Sequence, residues 1–306
     1  MLRPLGAVVG IIVALSLLAQ PALAEKKYGP GVTDTSIKIG QTQPYSGFGS
    51  AYSTIGKASA AYFAMVNDQG GINGRKIDFL SWDDGFNPAK TVEQTRKLVE
   101  QENVLLMFDS VGTPTNLSVQ KYLNQRGIPQ LFAGSGATRW ADPQHFPWTI
   151  GWQPAYRTEG RVYGRYILAA KPNGKVAALY QDDDYGHDYL NGIRDVLGAK
   201  ADTMFVARQT YAPTDPQVDS QLVFLAASGA DVFVDISQPK FTAMAIRKSW
   251  DLGWHPLHIV NSVSTSVDQV IRPAGFEKAK GLTAAIYQKG PTDPAWQGDA
   301  GLAAYL

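Results

Sequence analysis

The chain has 306 residues, 28 basic against 27 acidic side chains, a formal net charge of +1 and no cysteine. That balance gives no electrostatic grip on a polyanion, which argues against nucleic acid as a partner. The absence of thiols excludes disulfides, thiolate metal sites and a lipid-modified N-terminal cysteine, so burial must hold the fold together, and the length suffices for two domains.

The chain opens with Arg3, an apolar run from Gly6 to Ala19 broken by Ser16, and Ala22-Leu23-Ala24. A positive start, a short apolar stretch and a small-x-small site describe a signal peptide over residues 1–24, cut after Ala24. The apolar run is shorter than the roughly 20 residues a spanning helix needs. The expectation is therefore a periplasmic protein without stable membrane anchoring. Loss of Arg3 leaves 27 basic residues (28 − 1) against 27 acidic ones.

From Ile37 the pattern alternates short β-rich runs with helical stretches. Ile37 to Gln43 predicts a strand, and Ser53 to Asp68 a helix stopped by Gly70-Gly71. Ile77 to Trp82 predicts a strand, and Pro88 to Glu100 a helix with Asn87 as N-cap and Pro88 at its first position. A strand at Val104 to Phe108, a helix at Thr115 to Gln125 and a strand at Pro129 to Phe132 follow. The Pro/Trp-rich stretch from Asp142 to Pro154 predicts a crossing between domains. Beyond it come helices at Ala155 to Ala170, Tyr185 to Leu197, Asp219 to Ala227 and Phe241 to Leu252. Strands alternate with them at Lys175 to Tyr180, Thr203 to Gln209, Val232 to Asp235 and Leu257 to Val260. Such alternation argues parallel sheets covered by helices, and the number of units favours two sheets in two lobes over a single sheet. Pro294 to Leu306 reads as the start of a helix at which the sequence stops, which suggests truncation.

The motifs of common chemistries are missing. There is no phosphate loop and no G-x-S-x-G elbow, and Gly47-Phe48-Gly49 and Gly134-Ser135-Gly136 each lack the third glycine of a dinucleotide fingerprint. Ser118 to Lys121 fits S-x-x-K without any companion motif. Of the four histidines, His255 and His258 are near neighbours, but Pro256 separates them from a shared helical face, so neither a metal nor another cofactor is expected. Asp83-Asp84 and Asp182-Asp183-Asp184 follow strands. Paired carboxylates suit acid–base work, so a hydrolase or lyase using Asp83 and Asp84 is one alternative. The plainer account is turn and cap duty, with Asp184 capping the next helix.

The positive signal lies at strand-to-helix turns, where open α/β sheets bind ligands. Ser46 to Gly49, Ser110 to Thr115 and Gly134 to Thr138 carry small hydroxyl and glycine residues. Such turns bring backbone N–H groups and helix N-termini close to an anion, enough to hold one carboxylate. Aromatics gather in the same loops: Tyr45, Phe48, Tyr52, Trp82, Phe86, Trp140, Trp152, Tyr156 and Tyr185, about half of which are expected to touch a ligand.

At these residues the sequence resembles the periplasmic leucine/isoleucine/valine-type binding proteins of ABC importers. The marks are Ile37-Lys38-Ile39-Gly40 with Tyr45-Ser46-Gly47, the block Asn67 to Arg75, Asp83-Asp84 with Pro88, Arg126 to Pro129, and Asp183 to Gly186. The resemblance implies an α/β fold of two doubly wound parallel-sheet lobes joined by a hinge, closing on a ligand. Lobe 1 would take residues 25–150 and a return from about 281 to 306, and lobe 2 residues 151–280. It implies an importer's substrate-binding subunit, not an enzyme, with permease and ATPase partners and a branched-chain or hydrophobic amino acid, or a plain carboxylic acid, as ligand. A ligand-sensing receptor of the same fold is another alternative, since fold does not settle function.

Position by position, Thr113 matches a hydroxyl on the ligand carboxylate, and Gly134, Ser135 and Gly136 a second carboxylate-binding turn. Tyr52 and Tyr185 match aromatic contacts on the two lobes. The acid that pairs with an ammonium falls near Ser262, so Asp235 is the candidate replacement. The positions of a disulfide in some members fall at Phe86 and Gly112. Without that acid an ammonium would be costly to bury, which tilts the expectation toward a carboxylic acid with an apolar or aromatic body.

Overall fold

The computed structural model describes residues 27–291 and 293–305; the export signal expected at 1–24 lies outside them. In chain order the strands are β1 (Ser36–Gln43), β2 (Lys76–Asp83), β3 (Leu106–Phe108), β4 (Gln130–Ala133) and β5 (Thr149–Gly151). They continue with β6 (Val176–Gln181), β7 (Phe205–Tyr211), β8 (Val232–Ile236) and β9 (Leu257–Val260). The helices are α1 (Ser53–Asp68), α2 (Pro88–Glu100), α3 (Thr113–Arg126), α4 (Tyr156–Ala170) and α5 (Asp184–Leu197). After the short α6 (Ala201–Met204) come α7 (Asp219–Ala227), α8 (Pro239–Asp251), and the short α9 (Arg272–Ala274) and α10 (Ala300–Tyr305). Among the described residues no helix is long and apolar enough to cross a membrane.

The strands form two parallel sheets, ordered β2-β1-β3-β4-β5 and β7-β6-β8-β9. Each parallel step needs a crossover, and an α-helix supplies it everywhere but between β4 and β5, where a loop with a single 3₁₀ turn at Thr138–Ala141 does. The predicted crossing over 142–154 holds one strand more than expected: β5 pairs with β4 before the chain passes to the second sheet. At the far end, Thr283 bridges to β9 through Thr283 N–H to His258 O, 3.0 Å, and Val260 N–H to Thr283 O, 2.9 Å.

Local chemistry sets the helix ends. Asn87 Oδ1 accepts from the N–H groups of Ala89 and Lys90 at 2.9 and 3.2 Å, with Pro88 following it. These contacts satisfy orphan donors of the first turn. The α5 cap differs from the expectation. Asp183, not Asp184, accepts from Tyr185 and Gly186 N–H, while Asp184 is the first helical residue and pairs with Arg139 at 3.1 Å. Gly127 closes α3 with a φ of 65°, a left-handed turn that glycine adopts without strain.

α4 and α5 pack with their backbones nearly touching. A Cβ on Gly160 would overlap the Tyr189 carbonyl, and one on Gly192 the Arg157 carbonyl. This contact lets Tyr156 stack on Tyr189 with ring centroids 5.0 Å apart and sets Tyr185 edge-on to Tyr156 at 5.1 Å.

Candidate functional site

A cavity of about 350 Å³ lies between the carboxyl ends of the two sheets. The first sheet contributes Val111, Gly112 and Thr113 after β3, Gly134 after β4, Tyr52 and Ile55 at α1, and Phe86 before α2. From the second come Gln181 and Tyr185 at β6–α5, Gln238 before α8, and Ser262 to Ser266 after β9, excluding Ser264. Chain segments between the sheets complete it with Gln153 and Tyr156 on one side and Ile286, Tyr287 and Gln288 on the other. Among the described residues the wall holds no Asp, Glu, Lys, Arg or His. Burial pushes the phenols of Tyr156 and Tyr185 well above their ordinary range, so they remain neutral.

The structure brings together Tyr52, Thr113, Gly134, Tyr185 and Ser262 of the candidate set. Thr113 opens α3, where first-turn N–H groups have no intrahelical acceptor and the helix dipole favours negative charge. Its hydroxyl is 2.7 Å from that of Ser135, which also accepts from Ala137 N–H at 3.2 Å. Ser135, fully buried, and Gly136 therefore stand behind the wall rather than in it. Gly136 accepts from Tyr156 N–H at 2.7 Å, and a Cβ there would lie 2.7 Å from the Tyr156 ring.

Asp235 does not replace the missing acid. It lies wholly buried at the end of β8, away from the cavity wall, with Ser237 Oγ donating to it and His258 Nε2 3.4 Å away. One acid bonded to a wall residue is one the sequence did not flag. Glu159 on α4 accepts from Ser262 N–H at 2.8 Å, Ser262 Oγ at 2.7 Å, Tyr189 OH at 2.8 Å and Tyr163 OH. Four donors fill its lone pairs and fix the β9 loop. A signal existed: Tyr156, Glu159 and Tyr163 share one helical face, a carboxylate among aromatics.

Of the loop aromatics, Tyr52, Phe86, Tyr156 and Tyr185 line the cavity. Tyr45 instead bonds to Ser81 at 2.6 Å, Phe48 packs on Phe86 at 5.4 Å, Trp140 is buried and Trp152 is exposed. The ring of Phe86 also fills the space over Gly112, 2.7 Å from where a Cβ would sit. Packing thus joins the two positions at which the resemblance implies a disulfide elsewhere.

The alternative catalytic pair is also accounted for. Asp83 accepts from Ser46 N–H and Oγ, Gly85 N–H and Lys90 Nζ. Burial pushes its carboxyl up, but these donors outweigh that and hold it well below the usual carboxylate range. Asp84, fully buried, accepts from Phe86 N–H and Thr91 Oγ1. Neither faces the cavity. Among the described residues no cluster of His, Cys, Asp and Glu could hold a metal ion.

Two parallel sheets that present their carboxyl ends across one cavity define the class of two-lobed solute-binding folds, of type I arrangement. The chain belongs to the periplasmic binding protein family, whose model matches residues 36–298. This family is of the substrate-binding or receptor type and is periplasmic or extracellular. Leu/Ile/Val-binding protein homolog 7 of Brucella abortus (strain 2308) is 24% identical over 269 residues, 82% of this chain and 63% of that protein. The chain thus spans less than two thirds of that relative's length. A possible leucine/isoleucine/valine-binding protein from Rhodopirellula baltica SH 1 superposes with a TM-score of 0.75 at 20% identity, over 89% of this chain and 73% of that one. A fatty acid ABC transporter substrate-binding protein from Thermomonospora curvata gives 0.73 at 22% identity, over 84% and 65%.

Proposed function

We propose that the chain is the extracytoplasmic substrate-binding subunit of an ABC importer. It captures a small carboxylate-bearing solute by closing its lobes, 25–150 with a return from about 281, and 151–280, and hands it to a permease–ATPase pair. The observation that carries this is the cavity between the two sheets' carboxyl ends, with the N-terminus of the 14-residue α3 in its wall. The orphan N–H groups and the Thr113 hydroxyl there suit a carboxylate, and the apolar Ile55, Phe86, Val111 and Ile286 suit an apolar or aromatic body. Closure of two lobes on a ligand is an established mode for this architecture.

A thermal-shift screen of amino acids against aliphatic and aromatic acids tests it, since a ligand that binds the native state alone raises the melting temperature. Stoichiometric binding without turnover is expected; chemical conversion of the bound compound would replace a binding role with an enzymatic one. Thr113→Ala should weaken the best carboxylate by about 1–3 kcal/mol, the worth of a buried hydrogen bond to a charged group. Unchanged affinity by calorimetry would remove Thr113 from the site.

A further inference from the structure

Three polar atoms of the cavity wall are buried and unpaired: Gln153 Oε1, Gln238 Oε1 and Tyr185 OH. Buried polar groups normally have partners, so unpaired ones in residues that line a cavity indicate what the cavity receives. The direction of the Gln238 amide is fixed by its neighbours. Asp183 Oδ2 accepts from Gln181 Nε2 at 2.5 Å, which turns Gln181 Oε1 the other way. Tyr211 OH accepts from the Gln238 backbone N–H at 2.9 Å, which frees its proton for Gln181 Oε1, 3.3 Å away. Gln181 Oε1 also receives Gln238 Nε2 at 2.6 Å. The Gln238 amide therefore spends its donor on Gln181 and leaves its acceptor, Oε1, unpaired in a residue of the wall.

Gln153 Oε1 is a second unpaired carbonyl oxygen among the wall residues, so a ligand carboxylate placed against either glutamine oxygen would meet an acceptor and no donor. An ammonium would find no counter-charge. Glu159, the acid behind Ser262, already has four donors, and Asp183 already has Gln181, Tyr185 N–H and Gly186 N–H. Burying an unpaired cation is unfavourable.

We infer that the ligand presents to lobe 2 an uncharged hydrogen-bond donor, a hydroxyl or an amide N–H, so that the preferred solute is a hydroxy- or carbamoyl-carboxylic acid rather than a zwitterionic amino acid. This rests on the cleft being a carboxylate-binding site. The Asp183–Gln181–Gln238 chain is the specificity device, because it decides which face of the Gln238 amide the ligand meets.

The test uses matched acids on one skeleton. 4-Methylpentanoate, its 2-hydroxy analogue and leucine form one set; 3-phenylpropionate, phenyllactate and phenylalanine form another; and the ω-monoamides of glutarate and adipate carry the donor at the far end. Calorimetry on the chain should show at least one hydroxy or amide acid binding tenfold or more tightly than its donor-free and amino counterparts. In Gln238→Met that preference should fall below threefold. Gln153→Met serves in its place should Gln238→Met lose the native circular-dichroism melt. Amino acids binding most tightly, or donor-free acids binding as well as the others, would overturn the inference while leaving a carboxylate-binding site in place. No binding by any acid would instead remove the site itself, and the inference with it.

Discussion

The second sheet is apolar and covered on both faces, whereas the first is so on one. In β6 and β8 nearly every residue is buried, and two separate clusters flank them, one around Tyr189, Ile193 and Val234, the other around Leu222, Phe233 and Phe241. The first sheet has one such cluster, Leu98, Val104, Met107, Val119 and Leu123, under α2 and α3. Its other face meets α1, a helix with a single buried residue, Gly56. There β1 points Gln41 and Gln43 at the cleft end, both amides donating to Asp109 O, and an aromatic ladder Phe79–Phe63–Phe108–Phe132 runs out to an exposed end. The same β–α repeat thus yields a densely cored lobe and a half-polar one. The difference lies in what the outward face of β1 carries, not in topology.

The strongest way to break this comparison is to cut one apolar side chain from each lobe. Leu222→Ala removes a fully buried side chain of lobe 2 and should cost about 2–5 kcal/mol. Phe132→Asn in lobe 1 removes a ring that is 42% exposed from a residue whose φ is 57°. Asparagine tolerates that left-handed geometry, so the change should stay within about 1 kcal/mol. Urea melts of both variants, followed by hydrogen exchange at β8 and β4, measure it; equal losses would show that the lobes are equally well cored.

Glu159→Gln comes next. Glutamine keeps the shape but turns an NH₂ group toward two of the four donors, so about 2–3 kcal/mol of stability should be lost. Because Ser262 depends on this carboxylate for both its N–H and its hydroxyl, ligand affinity should fall as well. Loss of stability alone would confine Glu159 to a packing role.

The sequence made the alternation of strands and helices legible, with α1, α2, α7 and β9 matching their predicted limits, because apolar periodicity and caps such as Asn87-Pro88 are local signals. The short β5 was hidden: three residues inside a Pro/Trp-rich stretch carry no alternation. The lobe-1 wall was legible from Thr113 and Gly134, since small residues after strands announce a close backbone approach. The lobe-2 wall was legible only in part, from Tyr185 and Ser262. Gln153, Gln181 and Gln238 are ordinary polar residues in sequence, and only a tertiary hydrogen-bond network decides which atoms of Gln181 and Gln238 are paired. Asp235 misled for the converse reason: its position at a strand end was right, but alternation along β8 turns it toward His258.

A smaller effect concerns pH and again separates the lobes. Burial pushes the Asp109 carboxyl, in lobe 1 beside Gly134, up to about 7. In the unfolded chain it titrates near 4, so between about 4 and 7 the folded state holds a proton that the unfolded state has released. Stability from this group is full below about 4 and is lost as pH rises through about 7. Asp109→Asn should therefore raise the melting temperature more at pH 8 than at pH 5. An equal shift at both pH values would mean that the carboxyl is not held in its neutral form.

The smallest expected effect sits at the rim, where the lobes meet. Arg139 from the β4–β5 segment pairs with Asp184 of α5 at 3.1 Å, and Thr138 N–H donates to Asp188 at 2.6 Å. Both side chains of the ion pair are more than a third exposed, so solvent screens it and its worth is at most a few tenths of a kcal/mol to about 1. Asp184→Asn should therefore speed ligand release by less than about fivefold at low salt, and the difference should vanish near 1 M salt, where screening acts within about 3 Å. Asp188→Ala should act similarly but independently of salt, because it leaves a neutral backbone N–H unpaired rather than a charge. If stopped-flow release rates were unmoved by both, lobe closure would be governed by contacts to the ligand itself, and the uncharged cavity wall would carry the whole of the closing free energy.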